Sequence, residues 1–327
     1  MRRIRVSAPF VLGPWLILTL AALLAPLSLH LVVIDGLRAP LLLAAMPLFA
    51  FLMWRKRWWQ GLAVALLCLA LLPPWLASGR MPIAADMPQM KLVMLPSSSP
   101  AALAYAVEQR ADIILIPDFS DGAGKTLDKS LGALSAIVPA PQSRPGMDAA
   151  LPALIQDYRP WILKPMAGMG IFLRGGLAQA DDLRLRDDQA AFHALVADAR
   201  IAGTDLTFAM VHFTRPFPLA EWGEQARQVR DLTRQLAEIP RPMIVAGDFN
   251  ALPWSGALDR LSAALWSGTM ATPAAPWVGT FPAWSPLRLP IDQIRVSGGL
   301  QIVSLAAGPD VGSVHLPLVA IIALPPR

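Results

Sequence analysis

A single cysteine, Cys68, stands among 327 residues, so the chain forms no intrachain disulfide and no thiolate metal centre. Charge is also scarce. Asp, Glu, Lys and Arg make up 16% of the residues, against roughly 25% in an average globular chain, and the deficit is concentrated at the front. Residues 1–79 contain one acid, Asp35, and seven of the 28 basic residues, which leaves 21 basic against 22 acidic residues in 80–327. The net charge of +5 therefore belongs to the N-terminal part. The remainder lacks the basic excess of a non-specific nucleic-acid binder.

What the front has in place of charge is apolar length. Pro9 to Ile34 is broken only by His30, Ala39 to Trp54 carries no charge, and Trp58 to Ser78 is interrupted by Gln60 and two prolines. These runs approach or exceed the about 20 residues that cross a bilayer, and the sequence predicts three transmembrane helices in an anchor over 1–79. A cleaved signal peptide does not explain them, because the first run is too long and two more follow. Arg2, Arg3 and Arg5 precede the first run, and Arg55, Lys56 and Arg57 separate the second from the third. By the positive-inside rule both basic clusters are cytoplasmic, which puts everything after the third run on the extracytoplasmic side of the inner membrane. Trp54, Trp58, Trp59 and Trp75, near the ends of the runs, read as interfacial anchors.

Residues 80–90 read as a linker, and 91–327 as an α/β (α+β) domain of mixed sheets. Lys91–Leu95 is an apolar strand; Ser99 and Pro100 are an N-cap and first-turn pair opening a helix to Arg110; Ala111–Ile116 is a second strand. Residues 119–160 are rich in Gly, Pro, Ser and Asp and read as surface loops. Phe192–Ile201 and Leu206–Phe213 flank Ala-Gly-Thr-Asp as a hairpin. Leu219–Ile239 has helical spacing of Trp222, Ala226, Val229, Leu232 and Leu236. Strands follow at 243–246, around 290–297 and at 317–324.

Polar groups sit at the ends of these strands. Met-Ile-Val-Ala-Gly-Asp-Phe-Asn (243–250) delivers Asp248 and Asn250 two positions apart, so both point one way while Phe249 turns into the core; the same letters also make a turn. Asp118 follows Ile-Ile-Leu-Ile-Pro, His212 ends Phe-Ala-Met-Val, Asp292 follows Leu-Pro-Ile, and His315 precedes Leu-Pro-Leu-Val-Ala. Singly, each has an ordinary structural reading. The pairs Asp181-Asp182 and Asp187-Asp188 read as solvated charge, and Trp254 as packing behind Asn250.

In order, Ala-Gly-Asp-Phe-Asn-Ala-Leu-Pro-Trp-Ser (246–255), Gly-Thr-Phe-Pro-Ala-Trp (279–284), Leu-Pro-Ile-Asp-Gln-Ile-Arg-Val-Ser (289–297) and Gly-Pro-Asp-Val-Gly-Ser-Val-His-Leu-Pro-Leu-Val-Ala (308–320) resemble the endonuclease/exonuclease/phosphatase superfamily. Within it the chain is similar to a bacterial subgroup with a membrane-spanning N-terminus. The resemblance implies the deoxyribonuclease I-like two-sheet β-sandwich flanked by helices, and hydrolysis of a phosphodiester or phosphomonoester by an activated water with Mg²⁺ or Mn²⁺. It implies that Asp248 orients or deprotonates the water and that Asn250 hydrogen-bonds it or the phosphate. By the same resemblance His315 acts near the phosphoryl oxygen with Asp292 holding its ring, His212 contacts the phosphate, and Asp118 and Asp248 are the metal ligands.

Several positions depart from the family pattern. Pro96 stands at or near an expected Asn, Asp118 replaces a longer Glu, and Val314 replaces an Asp in what is usually Ser-Asp-His. Gln293 replaces a His, and Arg295 interrupts an apolar strand. Two expectations follow: a membrane-anchored phosphoesterase with weakened ion affinity, or a degenerate member that keeps the fold as a binding or scaffold module.

Overall fold

The computed structural model describes residues 8–24, 37–72, 87–117, 158–164, 169–174, 183–185, 194–216, 222–239, 242–256, 258, 261 and 278–325. Eleven strands among them form two sheets. The six-stranded sheet runs β10(Gln301–Ala307)-β11(Leu318–Ala323)-β1(Gln89–Met94)-β2(Ile113–Ile116)-β4(Met169–Arg174)-β3(Tyr158–Lys164). The five-stranded sheet runs β5(Leu183–Leu185)-β6(Ala194–Ile201)-β7(Thr204–His212)-β8(Met243–Asp248)-β9(Asp292–Val296).

Alternation of side chains sorts each strand between two environments. Leu92, Met94, Ile113, Leu115 and Ile171 of the first sheet meet Phe208, Met210, Ile244, Ala246, Ile294 and Val296 of the second in one buried core. The intervening residues face outward under helices. Val196, Ala209, Val211, Met243 and Val245 pack with Val229, Leu232 and Leu236 of the helix Trp222–Ala237. On the other side Val93, Ile114, Ile116 and Phe172 pack with Ala102, Leu103 and Ala106 of the helix Pro100–Glu108. The helix-on-sheet, sheet-on-helix layering is the two-sheet sandwich expected from the sequence.

Local expectations hold where the sequence is strongly patterned. Ser99 Oγ accepts from Ala102 N–H at 3.2 Å and Pro100 occupies the first turn. The β6–β7 hairpin turns through Ala202 and Gly203, both at positive φ. Residues 158–160, expected in loop, belong to strand β3, and most of the remaining expected loop, like Asp118 and the two Asp-Asp pairs, lies outside the described residues.

At the front, three helices replace the three apolar runs: α1(Ala8–Leu24), α2(Arg38–Trp54) and α3(Trp58–Leu71), of 17, 17 and 14 residues. At about 1.5 Å per residue, each is shorter than the roughly 30 Å of bilayer hydrocarbon. No helix among the described residues is long and apolar enough to cross a membrane, so the expectation of three crossings finds no support there. Two of the ends have a visible cause: Ala39–Trp54 gives way to the charged Arg55 at the end of α2, and α3 stops at Leu71, just before Pro73 and Pro74. The three helices pack on one another through Trp15, Leu41, Leu48, Leu52, Val64 and Leu71, and Trp15 Nε1 donates to the Leu41 carbonyl at 3.0 Å. Their outer surface is apolar as well, with Ile17, Leu43, Met46, Trp59 and Leu69 exposed.

Candidate active site

The parallel pairing of β7 with β8 and the antiparallel pairing of β8 with β9 place His212, Asp248 and Asp292 side by side in one row. All three continue the parity that faces the inter-sheet core. The last rung is polar where the preceding rungs are apolar, so the core ends in a cluster of ionisable groups at the end of the sandwich. His315 comes from the loop before β11 and joins this row: its Nδ1 lies 2.7 Å from Asp292 Oδ2. Ligand atoms of Asp248, Asp292 and His315 all lie within 4.8 Å of one another, and His212 Nε2 is 3.8 Å from Asp248 Oδ2.

Strand β8 stops at Asp248, which changes how Asn250 arrives. Phe249 is fully buried on the outer face, and Asn250 takes a left-handed conformation, φ +46°, which asparagine tolerates better than most residues. Its N–H donates to Asp248 Oδ1 at 2.8 Å, while its Nδ2 donates to Asp248 Oδ2 at 3.1 Å and to the Phe213 carbonyl at 2.8 Å. The turn and the site are thus the same object. Gln225 of the outer helix donates to the Phe249 and Asn250 carbonyls and fixes the turn from behind.

Gly247 is required by this geometry. Its φ is +147°, and a Cβ would overlap the Val211 carbonyl of the neighbouring strand. Gly247→Ala is therefore expected to lower stability by about 3 kcal/mol or more, from backbone strain plus displacement of β7. A denaturant midpoint equal to that of the parent would contradict this.

The Asp292–His315 pair is held by a second polar shell. Thr280 donates its hydroxyl to Asp292 Oδ2, the His315 ring lies 4.8 Å from that of Phe281, and Leu316 N–H donates to Thr280 O at 3.1 Å. The two departures in β9 also find a role. Gln293 and Arg295 occupy the outer face, opposite Asp292: Gln293 donates to the Ala251 carbonyl at 2.7 Å, and Arg295 to the Pro253 carbonyl at 3.0 Å and to Gln293 Oε1. The Arg295 guanidinium sits 5.9 Å from the Phe249 ring centroid. Arg295 clamps the loop that follows Asn250. Trp254 is buried behind the same loop, in keeping with packing.

Burial and the neighbouring Asp292 carboxylate push the Asp248 carboxyl up to about 7, against the lowering pull of His315, the Asn250 N–H and Arg215. For His315, burial pulls the pKa down, but the hydrogen bond it donates to Asp292 and the charges of Asp292 and Asp248 more than offset it, so it ends above the usual histidine value. Arg215 is exposed, three residues past His212, and close enough to act on both groups. Neither Arg215 nor Thr280 had been assigned a part from the sequence. Thr280 lies in a quoted motif, and a basic residue just beyond a strand-end histidine is a signal that was there to read.

Of the residues expected from the sequence, Asp248, Asn250, Asp292, His315 and His212 come together; Asp118 lies outside the described residues. Neither Pro96 nor Val314, which is 57% exposed, offers a side-chain donor atom. Two adjacent carboxylates, of which Asp292 pushes the Asp248 carboxyl upward, nevertheless form an oxygen-rich pair, which suits a hard divalent ion. Asp248 and Asp292 would hold it, with His315 at the margin.

Residues 95–314 match the Endonuclease/Exonuclease/phosphatase family. The chain belongs to that family. A functionally unknown conserved protein from Enterococcus faecalis is similar in structure, with a TM-score of 0.50 at 14% identity over 72% of this chain and 99% of that one. An endonuclease/exonuclease/phosphatase from Bacteroides vulgatus gives 0.49 at 15% over 72% and 99%. The inositol polyphosphate 5-phosphatase domain of SpSynaptojanin, in complex with inositol (1,4)-bisphosphate and calcium ion, gives 0.46 at 13% over 72% and 84%. No curated protein shows significant sequence similarity to the chain.

Proposed function

We propose that this family member hydrolyses phosphate esters with water, using a divalent ion at the Asp248–Asp292 pair. The observation that carries the reading is the alignment of His212, Asp248 and Asp292 on consecutive strands, with His315 bonded to Asp292. In-line attack on phosphorus needs charge neutralisation, a positioned water and a proton for the leaving oxygen. Asn250 orients the water beside Asp248, which accepts the water's proton as the new P–O bond forms. With the Asp292 carboxylate fixing a proton on Nδ1, His315 presents Nε2 to the phosphoryl group and donates a proton to the departing oxygen as the old P–O bond breaks. Arg215 supplies positive charge to the non-bridging oxygens, and His212 contacts them. Bound Mg²⁺ or Mn²⁺ would add charge neutralisation and acidify the water.

A base near pKa 7 and an acid above the ordinary histidine value are matched to work around neutral pH. The full chain in detergent is expected to hydrolyse an aryl phosphate diester with Mg²⁺ or Mn²⁺ and to lose about 10²–10⁴-fold of that rate in Asp248→Ala and His315→Ala. Activity indifferent to both substitutions refutes the assignment. A folded chain inactive with either ion supports the degenerate binding module, which Val314 and Pro96 favour.

Ion binding has its own readout. Mg²⁺ or Mn²⁺ is expected to raise the melting temperature, and more at pH 8 than at pH 6, because the ion must displace the proton that Asp248 retains up to about pH 7. An equal shift at both pH values would place the ion elsewhere.

The apolar, outward-facing surface of α1–α3 and the basic clusters flanking them support attachment of the N-terminal unit to the inner membrane, with the domain on the extracytoplasmic side. Reaction of a Ser285→Cys variant with a membrane-impermeant maleimide in intact spheroplasts tests that placement, and protection until lysis would reverse it.

A further inference from the structure

The described residues after 87 expose four large apolar side chains: Trp284 at 80%, Leu287 at 85%, Leu289 at 47% and Val314 at 57%. They are not scattered. Ala283 N–H donates to the Val314 carbonyl at 2.8 Å, Phe281 and Leu289 bridge each other, and Arg288 donates twice to the Ala283 carbonyl. One closed loop, 281–289, is therefore stitched to the residue beside His315, and its apolar tips stand on the rim of the site.

Isolated exposed apolar residues need no explanation, but a contiguous group beside a polar site marks an interaction surface. Three features select its occupant. The segment 279–291 contains no acid and one exposed cation, Arg288, with Arg215 on the site's other side. Tryptophan beside arginine is the pairing suited to a headgroup boundary, where an apolar ring and a cation meet hydrocarbon and phosphate together. The same chain carries α1–α3, whose uncharged outer surface also favours lipid over water. Val314 adds an uncharged, exposed side chain to the face that an anionic surface would approach.

We infer that the 281–289 loop and Val314 dock the site onto a phospholipid bilayer, so that the ester hydrolysed is carried on a lipid headgroup. The substrate half of this rests on the phosphoesterase reading; the docking half does not. Both can be read on the full chain reconstituted into phosphatidylcholine vesicles containing a minority of phosphatidylglycerol. In a Cys68→Ser background, an environment-sensitive fluorophore at Leu287→Cys is expected to be quenched by brominated lipid, and one at Arg234→Cys, on the exposed face of the outer helix, to be spared. Equal quenching at both positions, or none at Leu287→Cys, overturns the docking whether or not the chain hydrolyses anything. A probe at Leu287→Cys already shielded in detergent, with a dimer mass by light scattering, would assign the patch to a second copy instead and equally overturn it.

For the substrate half, the Trp284→Ser/Leu287→Ser double variant is expected to lower the ratio of phospholipid to soluble aryl-diester turnover by about tenfold. An unchanged ratio alongside quenching at Leu287→Cys rejects the lipid substrate while leaving the hydrolase assignment standing.

Discussion

Replacing Asp248 with asparagine is expected to abolish turnover and, in EDTA at pH 8, to make the domain more stable. The carboxyl is raised to about 7 from an ordinary 3.8 by burial and by Asp292. For an acid shifted this way the folded state retains a proton that the unfolded state has released. Stability is therefore full below about pH 4 and is lost progressively as pH rises to about 7, beyond which the loss is constant. An uncharged isostere escapes that loss. Against it stands the Asn250 Nδ2 donor, which would face an amide in place of a carboxylate oxygen. The net expectation is a gain on the order of 2 kcal/mol at pH 8 and none at pH 4. Denaturant melts at the two pH values give the comparison; a variant no more stable than the parent at pH 8 would mean that Asp248 is not electrostatically frustrated in the fold.

Asp292→Asn has the opposite sign. His315 sits above its ordinary pKa despite burial because Asp292 accepts its hydrogen bond and supplies most of the favourable charge. The stability this confers is present below the unfolded histidine pKa and is lost as pH rises through the folded value. With asparagine, burial is left to act without its main counterweight, and the ring loses its proton at lower pH. The expected outcome is a fall in kcat/KM of about 10²–10⁴-fold and a downward move of the alkaline limb of the pH profile. Stability near pH 6 should drop by about 2–3 kcal/mol, because a buried imidazole and the Thr280 hydroxyl are left with a poorer acceptor. An alkaline limb that stays in place would show that His315 takes no part as the acid.

Strands β1, β2, β8 and β11 were readable because they are short apolar runs with turn residues at their ends, and the helix 222–237 because its apolar stripe has a clean period. Four strands escaped. β3 contains Pro160, β4 begins with Met-Gly, β5 is only three residues long, and β10 is an edge strand whose Ser304, Ala306 and Ala307 are exposed, so none shows the run of apolar letters between turn residues that announces a strand. The site was legible as polar residues closing apolar strands, since register carries that information. What register does not carry is the loop chemistry. The positive φ of Asn250, the Thr280 hydroxyl under Asp292 and the reach of Arg215 arise from chain segments distant in sequence.

Strand β9 presents Asp292 to one side and Gln293 with Arg295 to the other. One side steadies the imidazole; the reverse side grips the bend that follows the Asn250 amide. A drift in the tilt of this single ribbon would move the His315 ring and the Asn250 amide together, keeping their spacing while shifting both against Asp248. Substitutions on the reverse side, remote from any substrate, should therefore alter rate and ester preference jointly, and natural variation at 293 and 295 should track variation in the 251–253 bend more closely than it tracks the chemistry itself.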